Sequence, residues 1–584
     1  MELPARASGD QLLPRGELTD IRARLRRVAG RHDLATVIAC AFDHRTRMLP
    51  FILADTKMAP AGVRAVGSEL LDAGFEKTRI VLQQWNRNFR PSAARLDGRV
   101  PDLLLVSSMQ MHWQRSMEMI HDACRIDPGH RPLIVAGGPK CIYEPWDVFN
   151  TDPRGRGGAD VAVTGEAYVL LSLLEALLSV RSPGESMRAA FHRARREGVL
   201  DGIPGLVYPV GKTDGVAEEL VDTGIQRLVS DLDELAGPGP GYRILEPPGR
   251  GKGLALRPVE AARIRRISPI SSIVLTLGCK FNCPYCPIPA YNQRLHRVKS
   301  GRRIADEIEQ LYAEFHLQYY FGADDNFFND QARALEILGE LARRARAGSR
   351  AGRKLRLSTE VTIHDTLKMA DHLPLARQAG MRALWLGVED MTATLVKKGQ
   401  SVDKTIQAFG LLRDNGILPM PMIMHYDSQP LYTPGRPHGL LNQARILRKA
   451  GAINLQALMI TPSPGSKLFE ETFTGGLAYE SAGGRRVEQY MIDGNHVVAS
   501  RHPRPWVKQM SLLIVYAYFF NPIRFLVALV HPVARVTMNH RWPDSRPRRW
   551  FQRFSETVRD YLFDAGAQLY GMYGLWHTVR RTFP

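Results

Sequence analysis

Apolar positions along this chain alternate between two periods. From Leu34 onward the short runs "LATVIACAF", "RIVLQQW", "PDLLLVSS", "RPLIVAGGP" and "ADVAVTGE" read as buried strands. Between them apolar residues recur at helical spacing, as at Val63, Val66, Leu70 and Leu71, and again from Met117 to Cys124. Regular alternation of this kind predicts an α/β domain over 34–180, a doubly wound, Rossmann-like parallel sheet. Ligands of such sheets lie beyond the carboxyl ends of the strands. That rule selects Ser107 and Ser108, the turn Gly137, Gly138 and Pro139, and Gly165 with Glu166 as candidate contacts. Adjacent glycines let a flat ligand approach the backbone closely, although a tight turn accounts for the same pair.

Over 181–265 the pattern loosens and ends in "AGPGPGYRILEPPGRGKG", which reads as a connector. Between 266 and 475 alternation resumes in six strand–helix units, with strands at "SSIVLTLG", "LQYYFGADD", "KLRLSTEVT", "RALWLGVED", "ILPMPMIMHY" and "INLQALMITPSPG". Six such units predict a partial parallel (β/α)6 barrel whose chemistry gathers at the strands' carboxyl ends. Those ends carry a cysteine loop, Asp324 and Asp325, Glu360, Glu389, and His425 with Tyr426. Residues 1–33 read as a basic extension, and 476–584 as a helical, basic and aromatic region. Within the latter, "SLLIVYAYFFNPIRFLVALV" is interrupted by Asn521, Pro522 and Arg524, whereas a spanning helix needs ~20 nearly unbroken apolar residues. It suits either packing against the barrel or an amphipathic platform on a bilayer surface.

Composition narrows the setting. A chain of 584 residues, 44% hydrophobic and 23% charged, is too long for one core and too apolar for disorder. Its six cysteines do not make a disulfide scaffold, and their partial clustering suits a reducing compartment, the cytoplasm. The amino terminus lacks the basic, apolar and small-residue pattern of a secretory signal. A net charge of +19 invites a nucleic-acid partner, yet much of the excess sits in "RARLRRVAGR" and "RWPDSRPRRWFQR" with no recognised nucleic-acid module. No nucleic acid is expected. An anionic bilayer attracts such segments equally well, so peripheral contact with the inner face of the membrane is an expectation.

The sharpest chemical signal is "LGCKFNCPYC". Cys279, Cys283 and Cys286 follow a CxxxCxxC spacing after the first barrel strand, so one loop can wrap three thiolates around a cubane iron–sulfur cluster and leave the fourth iron open. Zinc with His296 as a distant fourth ligand is the alternative, without the usual paired spacing.

The "CKFNCPYC" loop at the end of a barrel's first strand closely resembles the radical S-adenosylmethionine (SAM) superfamily. That resemblance implies a [4Fe-4S] cluster whose open iron chelates SAM and whose electron cleaves it to a 5'-deoxyadenosyl radical. It further implies SAM contacts at Tyr285, at Gly322, Ala323, Asp324 and Asp325 in place of the family's Gly-Gly-Glu segment, and at Glu360 and Glu389. A doubly wound domain ahead of the barrel resembles the cobalamin-binding subgroup, which implies a corrin across Ser107, Ser108, Gly137, Gly138, Pro139, Gly165 and Glu166. The DxHxxG motif is absent, since "FDHRTR" sets His44 directly after Asp43, so no histidine from that motif reaches cobalt.

The function expected from this resemblance is cobalamin-dependent methylation of an unactivated carbon in a small-molecule or lipid substrate, with flavodoxin or ferredoxin as electron donor. His425 and Tyr426 are candidates for positioning substrate or relaying a proton. Ring formation or rearrangement with the same cofactors is the alternative. Methylthiolation of tRNA requires a second cluster from Cys40, Cys124 and Cys141, which read better as separate buried thiols.

Overall fold

The computed structural model describes residues 12–46, 56–155, 157–213, 216–482, 485–530 and 550–582. Most of the basic stretch 541–553, and the first eleven residues, lie outside the described residues. Two compact units divide the chain, one formed by 3–46 and 59–268, the other mainly by 269–584.

In the first unit, strands β1 (Thr36–Cys40), β2 (Thr78–Leu82), β3 (Leu103–Ser107), β4 (Leu133–Gly137), β5 (Val161–Val163), β6 (Leu206–Thr213) and β7 (Val216–Asp222) form one sheet in the order β2-β1-β3-β4-β5-β6-β7. Strands β1 to β5 are parallel, and β6 and β7 are added antiparallel. Helices cover both faces of the parallel part, which is why Leu103 to Val106 is a continuous, fully buried apolar run. Because β1 lies between β2 and β3, the winding reverses there, the place where sheets of this kind bind ligands. Register aligns Cys40 with Ser107 and Ser107 with Gly137, so three small residues share one rung at that edge.

Two boundaries differ from the sequence expectation. Residues 17–32 form helix α1 (Glu17–His32), which buries Leu18, Ile21, Leu25 and Ala29 in this unit and pairs the buried Arg22 with Glu69 at 3.1 Å. Two more of its five arginines pair with carboxylates of the same unit, Arg24 with Glu175 and Arg26 with Asp72, so a stretch expected as a basic extension is a layer of the domain. Residues 181–265, expected as a connector, supply α2 (Met187–Arg196) and the β6–β7 hairpin. The proline- and glycine-rich tail of that stretch concealed strands that precede it.

In the second unit β8 (Ile270–Ile273), β9 (Tyr319–Gly322), β10 (Arg356–Thr362), β11 (Met381–Glu389), β12 (Leu418–His425) and β13 (Gln456–Met459) pair consecutively and in parallel, as the six-unit reading requires. Their connecting helices start where a side chain caps the first turn: Ser300 accepts from Arg303 N before α3 (Gly301–Phe315), Asp330 from Arg333 N before α4 (Gln331–Arg346), and Ser401 from Lys404 N before α5 (Val402–Asp414). Helix α3 buries Ile304, Ile308, Leu311 and Phe315, the face its periodicity marked.

The last parallel strand is covered rather than closed. Helix α6 (Pro505–Phe519) lies on β13, and the Tyr516 hydroxyl accepts from Ala457 N at 2.9 Å and donates to Ala457 O at 2.6 Å. Beyond a break at Phe520 and Asn521 follow α7 (Pro522–Val530) and α8 (Trp550–Thr582).

Candidate functional site

After β8 the chain forms a closed loop. Thr276 and Leu277 pair antiparallel with Val298 and Arg297, so the segment carrying the three cysteines is tied at its base. At the turn into it Gly278 has a φ of 95°, and a Cβ there would collide with the Leu295 carbonyl. Only glycine fits.

The "FGADD" segment holds this loop in place. One oxygen of Asp324 accepts from the main-chain N–H groups of Leu275 (3.0 Å) and Thr276 (2.7 Å), and the other accepts from the Thr359 hydroxyl. Asp325 accepts from Gly278 N at 2.6 Å and from Asn292 Nδ2 at 3.3 Å. Burial pushes both carboxyls up to about 6 in spite of these donors. On the other side Lys280 donates its main-chain N–H to Asn329 and pairs its ammonium with Asp365 at 2.6 Å.

Cys283 is buried, while Cys279 and Cys286 are partly open to solvent. Burial raises the Cys279 thiol and pushes Cys286 up to about 12, so without metal these groups hold their protons; cluster charge is what turns such thiols into ligands. The set fits a cube gripped at three corners. Among the described residues no three His, Cys, Asp or Glu side chains close on a single ion, the tighter spacing a lone zinc needs. His296 has Asp330 and Lys280, not the thiols, as its charged neighbours.

Tyr285, Asp325, Glu360 and Glu389 gather around the cysteines. Glu389 ends β11 with a φ of 56° beside a register break after Gly387, a strained conformation at a strand end. Its carboxylate pairs with Lys398 Nζ at 2.9 Å, both side chains nearly buried. Burial alone would lower the Lys398 ammonium, but Glu389 and Cys283 outweigh it and raise it. The Tyr285 phenol, raised by burial and then by Glu389 and Cys283, is buried with no oxygen or nitrogen partner. Glu360, on β10, is partly open, and among the described residues none donates to its carboxylate. Burial, then the charges of Asp325, Asp324 and Glu389, push it up to about 8. Glu360 thus has three carboxylates and no cation among the charges acting on it, an arrangement suited to a cationic group.

Lys398 was not singled out in the sequence, where it stands among ordinary loop residues in "TATLVKKGQ". It reaches the site because Asp390 gathers that loop, accepting from Thr392 N, Thr394 N, Gln443 Nε2 and the Tyr426 hydroxyl. Tyr426 therefore braces this loop. His425 is fully buried, its Nδ1 2.9 Å from Gln429 Oε1, and burial pushes it down to about 4, a neutral ring. Ala323 is exposed, and its N–H continues the β8 ladder to Ile273 O.

In the first unit, Ser107, Gly137, Gly138, Pro139, Gly165 and Glu166 are at least partly open at the strand ends, and Ser108 is buried. Gly138 has a φ of 86° and packs on Ser107 and Ser108 so tightly that a Cβ would clash, so the turn itself requires it. Gly137 has room beside it. Glu166 is engaged, donating its N–H to Gln226 and accepting from Val229 N at 2.7 Å. His44 lies 3.2 Å from the Gln83 carbonyl and Asp43 pairs with Arg45, so this pair serves the loop. The other three thiols are separate: Cys40 ends β1, Cys124 donates to the Gly157 carbonyl, and Cys141 is buried in the core.

Residues 273–427 match the profile of the Radical SAM superfamily. An anaerobic magnesium-protoporphyrin IX monomethyl ester cyclase from Rubrivivax gelatinosus is 27% identical over 198 residues, 33% of this chain and 33% of its own length. A hopanoid C-2 methylase from Rhodopseudomonas palustris (strain TIE-1) is 29% identical over 147 residues, 25% of this chain and 27% of its own. The chain thus spans no more than 33% of the length of either relative. Among solved structures, the radical SAM methyltransferase TsrM from Kitasatospora setae, with cobalamin and a [4Fe-4S] cluster bound, aligns with a TM-score of 0.58 at 16% identity, covering 92% of this chain and 98% of that one. That likeness extends the shared fold over both units, and residues 273–427, which hold the cysteine loop and the strands behind it, carry the match to the radical SAM superfamily.

Proposed function

We propose that this chain is a cobalamin-dependent radical SAM enzyme that methylates an unactivated carbon of a small-molecule or lipid substrate. The observation that carries the reading is the loop of Cys279, Cys283 and Cys286, offering three thiols, beside Glu360, whose charged neighbours are all carboxylates. When bound, the cluster supplies the electron that cleaves SAM and the corrinoid supplies the methyl group.

The chain's own residues do the placing. Asp324 and Asp325 fix the loop from which the thiols project. Glu360, with its acceptors free, and Glu389, held by Lys398, are suited to the amino and hydroxyl groups of SAM, whose positive charge relieves their repulsion. Tyr285 shields the cluster side from water. In the first unit, the rung of Cys40, Ser107 and Gly137 is low enough in side-chain height for a flat macrocycle. All six cysteines are free, which suits a reducing cytoplasm with a flavodoxin or ferredoxin as electron donor.

Anaerobically reconstituted protein is expected to hold about four irons per chain, bind corrin visible by absorption, and form 5'-deoxyadenosine from SAM. Cys283→Ala should abolish that product. Retention of SAM cleavage in this variant overturns the cluster assignment, and a loaded cluster without bound corrin overturns methyl transfer. The likeness to the cyclase keeps ring formation as a second reading, and product mass separates the two: a gain of one methylene unit for methylation, a loss of hydrogens for oxidative cyclisation.

A further inference from the structure

Helix α8 turns its large apolar side chains outward. Its buried face carries polar and small residues, Asp564 (3% exposed), Ala565 (5%), Gln568 (1%), Gly571, Gly574 and Thr578 (5%), while Leu562 (64%), Phe563, Leu569, Tyr570, Tyr573 and Trp576 face outward. Val558, Leu562, Leu569, Tyr573 and Trp576 recur at helical spacing and so make one stripe along the helix. Helix α7, packed beside it, continues the patch: of its nine residues only Ala528 is buried, and Ile523 (73%) and Val530 (79%) stand open with Leu526, Val527 and Leu529. A water-facing helix hides its large apolar side chains, and this pair leaves them open.

The apolar run of the sequence is thereby divided. Its first part, α6, packs on the barrel through Tyr516, and the break at Phe520 and Asn521 releases the second part from the core. At nine residues α7 is too short to cross a bilayer, so the patch suits a helix pair lying in one leaflet.

We infer that α7 and α8 dock this protein on the surface of an anionic lipid bilayer. Charge selects that occupant over a second copy of the chain. Arg445 and Arg524 both flank the Tyr518 ring, at 5.6 and 5.8 Å, placing cations at the edge of the patch. In sequence, the residues joining the two helices include Arg535, Arg541, Arg546, Arg548 and Arg549 against the single acidic Asp544, within a chain of net charge +19. Two copies that each carry Arg445 and Arg524 at this edge repel each other across a dimer axis, whereas anionic headgroups complement them. Tyr570, Tyr573 and Trp576 are the side chains that favour the headgroup boundary, apolar in body and polar at the tip.

The inference rests on these helices alone, apart from the chemistry proposed above. Full-length holoprotein is floated with phosphatidylcholine vesicles, with and without phosphatidylglycerol. It should rise with the anionic vesicles, less with phosphatidylcholine alone, and less in high salt. Two double variants, Ile523→Asp with Val530→Asp, and Leu562→Asp with Leu569→Asp, should each lower the bound fraction at least tenfold, as expected for placing charges in a lipid-facing patch (~10-fold or more). These positions are solvent-exposed and away from the cysteine loop, so 5'-deoxyadenosine formation should persist. Wild-type protein that stays down with both vesicles overturns the inference. So does a stable dimer that the same substitutions dissociate, because the patch would then be a protein interface. Flotation without SAM cleavage would leave this inference standing and sink the proposed function, and the converse result would separate them the other way.

Discussion

Asp324→Ala tests whether the second barrel strand holds the cysteine loop. Asp324 is 3% exposed, and its removal strips the acceptor from the N–H groups of Leu275 and Thr276, both otherwise sealed from water. Of the four donors to Asp324, the Thr359 hydroxyl can turn to the Gly322 carbonyl at 3.3 Å and the Thr276 hydroxyl, 3.2 Å from the carboxylate, can rotate, so the two fixed main-chain N–H groups are the ones orphaned. At about 1–3 kcal/mol each, the change should cost about 2–6 kcal/mol. At about 2–4 °C per kcal/mol for a unit of this size, cluster-free protein should melt roughly 5–20 °C lower by circular dichroism. Iron and sulfide content after reconstitution should fall with it, since the loop loses its tether at the entry to Cys279. Asp324→Asn keeps one acceptor oxygen but turns an amide N–H₂ toward the Thr359 hydroxyl, so its effect should be smaller and of the same sign. An Ala variant that melts with wild type, takes up full iron and merely binds SAM weakly would refute the clamp and make Asp324 a ligand-contacting residue instead.

Three further outcomes follow from the same geometry. Glu360 has a folded-state pKa of about 8, well above its ordinary value, so the folded chain holds this proton more tightly than the unfolded one. The stability this contributes is full below the ordinary carboxyl range and is lost as pH rises through about 8; cluster-free Glu360→Gln should therefore show a flatter melting temperature between acid and pH 8 than wild type, and parallel curves would refute the crowding. Lys398→Met leaves Glu389 buried without its cation, a loss of up to about 3–5 kcal/mol, seen as a lower melting point and weaker SAM retention that Lys398→Arg partly restores. Gly278→Ala should block cluster loading while far-ultraviolet circular dichroism of the barrel persists, because the collision with Leu295 O is confined to the loop turn.

The alternation of apolar runs placed both parallel sheets, since a strand buried on two faces must be apolar throughout and a covering helix must show its own period. Likewise the CxxxCxxC spacing is local, so three thiols on one short loop could be read without knowing any long-range contact. Periodicity failed at α1 and the β6–β7 hairpin for opposite reasons. In α1 a dense arginine count masked four buried apolar residues, and in the hairpin alternating polar residues looked like linker.

Sequence by itself determined which residues lie at strand ends and that three cysteines share a turn, because both depend on neighbours within a few positions. Only the tertiary structure decided what each candidate does there. Asp324 and Asp325 are adjacent in the chain, yet one is committed to Leu275, Thr276 and Thr359 and the other to Gly278 and Asn292. Glu360 and Glu389 look alike as strand-end carboxylates, but Lys398 pairs with only one of them. The reversed polarity of α8 was equally hidden, since a helical pattern fixes which residues share a face and not which face meets the protein. Burial and pairing are sums over distant segments, and no local pattern in a chain records them.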